Sequence, residues 1–279
     1  MVKRIKNKII QLKSQFRNRL GFFLNFNLAF QHFSLFCAKL QTTMKKISIA
    51  FVAISLLFAC SEKKLENNLH LTGNIKGLKK GTLYVQRVSN NKLIALDTII
   101  IDGNSAFETN IELKSPEMLY LFLDRGVSNS LDNNLLFFAE PGNVNIDTNL
   151  ENYIADAKVS GSKNQDLYYE FKKVDNRFKD EELGLIEKKF NAIKSNNETA
   201  IASITAKQES NVKRKYLYAT NFIINNKDFE VAPYLALSEI YDINMKYLDT
   251  IQKSLSPKVA QSLYGKKLTD YIASIKKQQ

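Results

Sequence analysis

The chain has 279 residues, with 40 Lys or Arg against 28 Asp or Glu, two Cys, two His and no Trp. So few thiols and imidazoles exclude a disulfide framework and argue against a zinc centre, which draws three or four such ligands. A net charge of +12 points to a polyanionic partner only if it is spread over the folded chain, and it is not: residues 1–59 hold ten of the bases and no acid, leaving 30 bases against 28 acids, or +2, in the remaining 220 residues.

Residues 1–43 are basic and crowded with phenylalanine, including Phe16, Phe22, Phe23, Phe26, Phe30, Phe33 and Phe36. The expectation is that translation starts at Met44 and that this stretch is a mis-assigned upstream extension; a basic, aromatic membrane-surface segment is the alternative. Residues 44–59 have the order of a secretory signal: Lys45 and Lys46, then a 12-residue apolar run from Ile47 to Phe58, then a small residue. The run is shorter than the roughly 20 residues a membrane-spanning helix needs. Leu57-Phe58-Ala59-Cys60 resembles the lipobox of bacterial lipoproteins, which implies cleavage before Cys60 and acylation of its sulfur and new amine. Several acyl chains hold a protein on a bilayer far longer than one. Ser61 after Cys60 fits delivery to the outer membrane, with the periplasmic face favoured.

Residues 60–68 read as a polar tether, residues 69–162 as a β-rich domain and residues 163–279 as a helical region. Leu83 to Val88 and Leu93 to Leu96 are expected strands joined at Asn90-Asn91. Thr98 to Ile101, Asp102-Gly103-Asn104 and the alternating run Phe107 to Leu113 predict a hairpin. Leu119 to Leu123 and Leu135 to Ala139 are apolar without alternation, as in strands covered on both faces. Pro141-Gly142 breaks the chain before Val144 and Ile146, and Val159 closes a series of seven or eight strands. Their spacing suggests an antiparallel sandwich or curled sheet.

The period then changes to that of helices. Leu167, Phe171, Val174 and Phe178 form one apolar stripe, Leu183, Ile186, Phe190 and Ile193 a second, and Val212, Tyr216, Ala219 and Ile223 a third. Pro233 suits the first turn of a helix carrying Tyr234, Leu237 and Tyr241, and Ser256-Pro257 starts another before Val259 and Leu263. The fold class expected is therefore α+β: an N-terminal antiparallel β-sandwich-like domain followed by a C-terminal α-helical region.

Candidate chemistry is sparse. His70, between Leu69 and Leu71, reads as a surface or edge-strand residue, and Lys213-Arg214-Lys215 as a solvated helix face without the aromatic platform of a nucleic-acid site. Glu140 and Asp180-Glu181-Glu182 offer carboxylates, but adjacent acids at a helix start usually serve its N-terminus. Neither a Gly-x-Ser-x-Gly elbow nor a phosphate-binding Gly-Lys-Ser/Thr loop occurs.

Phe138-Ala139-Glu140-Pro141-Gly142-Asn143-Val144 followed by Val159-Ser160-Gly161-Ser162-Lys163-Asn164 resembles the signatures of an uncharacterised domain at the N-terminus of bacterial thiol-disulfide interchange lipoproteins of the TlpA/ResA type. The resemblance implies helices leading to a thioredoxin-like domain, whereas the sequence after Cys60 contains no thiol for exchange. The expectation is a non-catalytic lipoprotein of the cell envelope, with no cofactor beyond lipid on Cys60 and no nucleic-acid partner. Its partners are expected to be the lipid bilayer and an envelope protein. An accessory that docks a thioredoxin-like protein is the alternative, and glycan binding through tyrosines the third reading.

Overall fold

The computed structural model describes residues 68–89, 92–126 and 131–277. The signal, the lipobox and residues 1–67 lie outside them. Eight strands come first: β1 (Leu69–Lys76), β2 (Lys80–Ser89), β3 (Lys92–Asp102), β4 (Ala106–Ile111), β5 (Glu117–Asp124), β6 (Asn134–Ala139), β7 (Gly142–Asn149) and β8 (Lys158–Ser160). Helices follow: α1 (Lys163–Lys194), α2 (Glu198–Asn225), α3 (Val231–Ser238), α4 (Met245–Ser254), α5 (Pro257–Ala260) and α6 (Leu263–Lys276). The α+β class read from the sequence is the class observed.

The strands form two four-stranded sheets, ordered β4-β1-β7-β8 and β3-β2-β5-β6. Every pair is antiparallel except β1 with β7, which run parallel from Leu69 opposite Gly142 to Lys76 opposite Asn149. The parallel pair follows from the path of the chain: β6 ends one sheet, the Pro141-Gly142 break carries the backbone across, and β7 enters the other sheet beside β1. Gly142 adopts φ 122°, a conformation open to glycine and rare elsewhere.

The hairpin expected between Thr98–Ile101 and Phe107–Leu113 does not form. Thr98 to Ile101 pair in turn with Tyr84, Leu83, Thr82 and Gly81 in one sheet, whereas Phe107 and its neighbours pair with β1 in the other. Asp102-Gly103-Asn104 is a corner between sheets. The Gly103 N–H donates to the Lys79 carbonyl at 2.7 Å, and the Ser105 carbonyl accepts from the Ile75 N–H at 3.0 Å. Turn residues that tolerate positive φ serve a corner as well as a hairpin. Leu93–Leu96 and Thr98–Ile101 are parts of the single strand β3, whose pairing shifts register where Val85 faces Asp97 and Gln86 faces Ala95, so that Leu96 is passed over by the ladder.

The inner faces of the two sheets enclose one core, built from Leu69, Leu71, Val85, Phe107, Leu121, Phe137, Val144 and Ile146 among others. The second face of the β5/β6 sheet is covered by helices: Met118 and Phe138 join Leu167, Phe171, Phe222, Leu235 and Leu268 in a second core. This three-layer stack explains the run in β6, whereas in β5 the helices cover only Met118, and Tyr120 and Phe122 on that face are half-buried, so Leu119 to Leu123 alternates after all. In β6, Leu135 and Phe137 point into the sandwich, and Phe138 points into the helices.

The helical stripes divide unexpectedly. Leu167 and Phe171 are buried, but Leu183, Ile186, Phe190 and Ile193 are exposed. Both stripes belong to one 32-residue helix, not to two. Beyond Phe178 the face of α1 that meets α2 is the neighbouring one, where Leu185 and Ala192 pack with Ile204 in a small third core.

Ser160-Gly161-Ser162 turns β8 into α1. Gly161 has φ +88°, and a Cβ there would overlap the Asn143 carbonyl oxygen; Gly103 has φ +91° with open space around it. Gly161→Ala is therefore expected to cost about 3 kcal/mol or more, since strain and clash add, and Gly103→Ala about 1–2 kcal/mol from φ alone. Chemical denaturation of the two variants checks the order.

Candidate functional site

The signature segments around Glu140 and Ser160 converge on the start of α1. The Glu140 side chain crosses from the end of β6 to cap the helix: its Oε1 accepts the Lys163 N–H at 2.6 Å and its Oε2 the Asn164 N–H at 3.3 Å. Ser162 is the N-cap residue, its hydroxyl accepting the Gln165 N–H at 3.1 Å. A carboxylate and a hydroxyl thus share the orphan amides of the first turn, where negative charge is also favoured by the helix dipole.

Asn164 is buried beneath this cap. Its Nδ2 donates to Glu140 Oε2 at 2.6 Å and lies 3.5 Å from Glu230 Oε2, and its Oδ1 accepts the Val231 N–H at 2.9 Å. One amide side chain therefore joins the starts of α1 and α3, with a carboxylate at each. Gln165, fully buried, completes the joint by accepting the Phe138 N–H through Oε1 at 2.5 Å, which satisfies a donor of the edge strand β6. On the same helical face of the sheet the Tyr264 hydroxyl accepts the Met118 N–H at 2.9 Å, and Phe138, Tyr234 and Tyr264 pack edge to face. Burial raises both tyrosine hydroxyls far above their ordinary pKa of 10.0.

Beside the joint lies an open cleft of about 570 Å³. Its charged lining is balanced: Lys114, Lys163 and Lys258 against Glu140, Asp228 and Glu230. The chain enters the sandwich at its rim. Asn68 donates from Nδ2 to the Leu113 carbonyl at 2.8 Å and accepts the Leu113 N–H at 2.9 Å, so this last residue of the expected tether belongs to the fold. A cleft lined by both signs suits a polar ligand or segment carrying both, not a polyanion. Nearby, Arg87 Nη2 meets Glu117 Oε1 at 2.7 Å; burial raises the Glu117 carboxyl, with Arg87 and Lys267 opposing.

A second polar cluster lies between α1 and α2. Asp175 is fully buried, with Lys179 Nζ at 2.6 Å, Lys172 Nζ at 3.3 Å and Lys215 Nζ at 3.7 Å; Lys172 also reaches Glu239 at 3.2 Å. Burial alone would raise the Asp175 pKa, but the three lysines outweigh it and the net shift is downward. Sequence spacing signalled neither Asp175 nor Glu230, because a single acid in a helical or loop stretch looks like any solvated one.

The other residues singled out from the sequence are scattered. Asp180, Glu181 and Glu182 sit in the middle of α1, not at a helix start: Glu181 pairs with Arg214 at 2.6 Å, and Glu182 accepts from Gln208 at 2.7 Å. The Lys213-Arg214-Lys215 face is only partly solvated. Arg214 holds Glu181 and lies over the Phe178 ring, and Lys215 turns towards Asp175. His70 is on the outer face of β1, an inner strand of its sheet, with Nδ1 2.9 Å from Asn110 Oδ1. Among the described residues no group of three or more His, Cys, Asp or Glu is placed to hold a metal ion. No helix among them is long and apolar enough to cross a membrane.

The class defined by these observations is a β-sandwich capped on one sheet by helices, with the joint at Glu140 and Asn164. Residues 69–168 match the family model described as a domain of unknown function (DUF4369), so this domain spans the whole sandwich and the first turns of α1. No curated protein and no solved structure matches the chain.

Glu140→Ala should remove the cap and leave two amides and Asn164 without their acceptor, costing about 1–2 kcal/mol in urea denaturation. Asp175→Asn should cost about 1–2 kcal/mol at pH 7, since it removes a buried acid shared by three lysines that stay partly open to solvent. A depressed carboxyl stabilises above its unfolded pKa and loses that contribution as pH falls through the folded value, below 3.8. The gap between Asp175→Asn and the parent should therefore narrow as pH falls below that value, which denaturation at pH 7 and pH 3 measures.

Proposed function

We propose that this chain is an envelope lipoprotein, held on the membrane through acylated Cys60, whose sandwich and helices form a non-catalytic interaction module. The observation that carries the reading is the use made of the signature residues. Glu140, Ser162 and Asn164 put their polar groups into helix amides and into one another. These contacts support a structural role for the signature: a stiff joint that presents the mixed-charge cleft and the helices to a partner. Anchorage is supported by the order of charge, apolar run, small residue and cysteine from Met44 to Cys60. The outer membrane, periplasmic face, is the address this order and Ser61 favour.

A thioredoxin-like protein or its substrate is the second reading of the partner, supported by the resemblance of the Glu140-Pro141-Gly142 and Ser160-Gly161-Ser162 segments to interchange lipoproteins. Glycan is the third. Cys60→Ser is expected to move the protein from the membrane to the soluble fraction and to abolish the added lipid mass; retention of both would sink the anchor. Pull-downs with the acylated protein distinguish the partners: thiol-disulfide proteins support the second reading and polysaccharide the third. Lys114→Glu combined with Lys258→Glu should lower capture at least several-fold if the cleft is the contact, and catalytic turnover by the purified protein would overturn the whole reading.

A further inference from the structure

The distal half of α1 carries a feature that neither the joint nor the hairpin core uses. Leu183 is 65% exposed, Ile186 51%, Phe190 61% and Ile193 53%. Scattered exposed apolar residues are ordinary, but four large ones along one stripe form an apolar ridge, and the largest such patch on a protein is often functional. Their spacing of three, four and three is that of the a and d positions of a two-helix seam. The stripe is one residue out of step with Leu185 and Ala192, which face α2, so it lies about 100° around the helix from the intramolecular contact.

The charges beside the stripe select the occupant. Asp180, Glu187 and Lys194 recur every seven residues along one flank, and Glu182 and Lys189 lie along the other. Along these flanks the end nearer the sandwich is acidic, with Asp180 and Glu182, and the far end is basic, with Lys189 and Lys194, Glu187 lying between. Two such helices aligned in parallel would set like charges together. Aligned antiparallel, each acidic half meets a basic half. A two-fold axis needs this self-complementarity, because both surfaces are the same patch.

We propose that α1 is a self-association surface on which a second copy of this chain pairs antiparallel, Leu183 against Ile193 of the second copy and Ile186 against Phe190 of the second copy. Asp180 then lies near Lys194 of the second copy at both ends of the contact. The buried area, a few hundred Å² from each stripe, is below that of a standard stable interface, so the dimer is weak and concentration-dependent. This inference does not depend on the identity of the partner at the cleft.

Sedimentation equilibrium of the full chain in density-matched detergent tests it. A monomer–dimer equilibrium is expected, and Phe190→Lys should weaken it at least tenfold while leaving circular dichroism and the thermal midpoint unchanged, because the side chain is exposed. Asp180→Lys and Lys194→Asp should each weaken it several-fold, and the double swap should restore it. That restoration is specific to antiparallel copies: a lipid surface or a different protein on the stripe would not produce it. A chain that stays monomeric at every concentration, or a dimer indifferent to Phe190→Lys or to the charge swap, overturns the proposal. So does a monomer whose stripe variants lose only the binding of anionic vesicles.

Discussion

Burial of β6 on both faces is the constraint on which the rest of the structure depends. A strand in a two-layer sandwich has one apolar face and one wet face, but Phe137 and Phe138 are consecutive and both fully buried. One fills the space between sheets and the other the space beneath the helices. Completing the sandwich core therefore leaves an apolar face that, among the described residues, the helices cover. Burying each phenylalanine contributes on the order of 2–3 kcal/mol by area, before the cavity term that its removal would add.

Packing does not fix direction, and here the polar joint adds what the apolar layer lacks. Apolar contacts tolerate sliding and rotation; hydrogen bonds between Gln165 and Phe138, and from α1 amides to Glu140, do not. The buried Asn164 passes the same constraint on to α3. On the opposite side Asp175 and its lysines hold α1 to α2 and, through Glu239, to the end of α3. The first half of α1 is thus tied at several points, while its distal half has only its seam with α2. A small core of Leu185, Ala192 and Ile204 suffices there, because the hairpin need only hold two helices together.

What was legible in the sequence follows from what each signal physically reports. Alternation in Phe107 to Leu113 and its absence in Leu135 to Ala139 report how many faces of a strand are covered, and both readings agree with the structure. Alternation does not report which sheet a strand joins, so Asp102-Gly103-Asn104 reads equally as a hairpin or as the corner it is. Helical period has the same blindness. It marks Leu183, Ile186, Phe190 and Ile193 as one face without saying whether anything within the chain covers it. The joint was half visible: Glu140 and Asn164 stand in recognisable segments, but their meeting with Glu230 spans 66 residues and leaves no periodic trace.

The placement of β1 has a mechanical consequence. It is flanked on both sides, antiparallel to β4 and parallel to β7, and the chain enters it through Asn68, itself bonded to Leu113, Ile111 and Gly142. Tension applied through that residue along the strand must shear two ladders at once, because neither edge of β1 is free to peel. A protein hung from its N-terminal end would meet force with the strand best arranged to resist it.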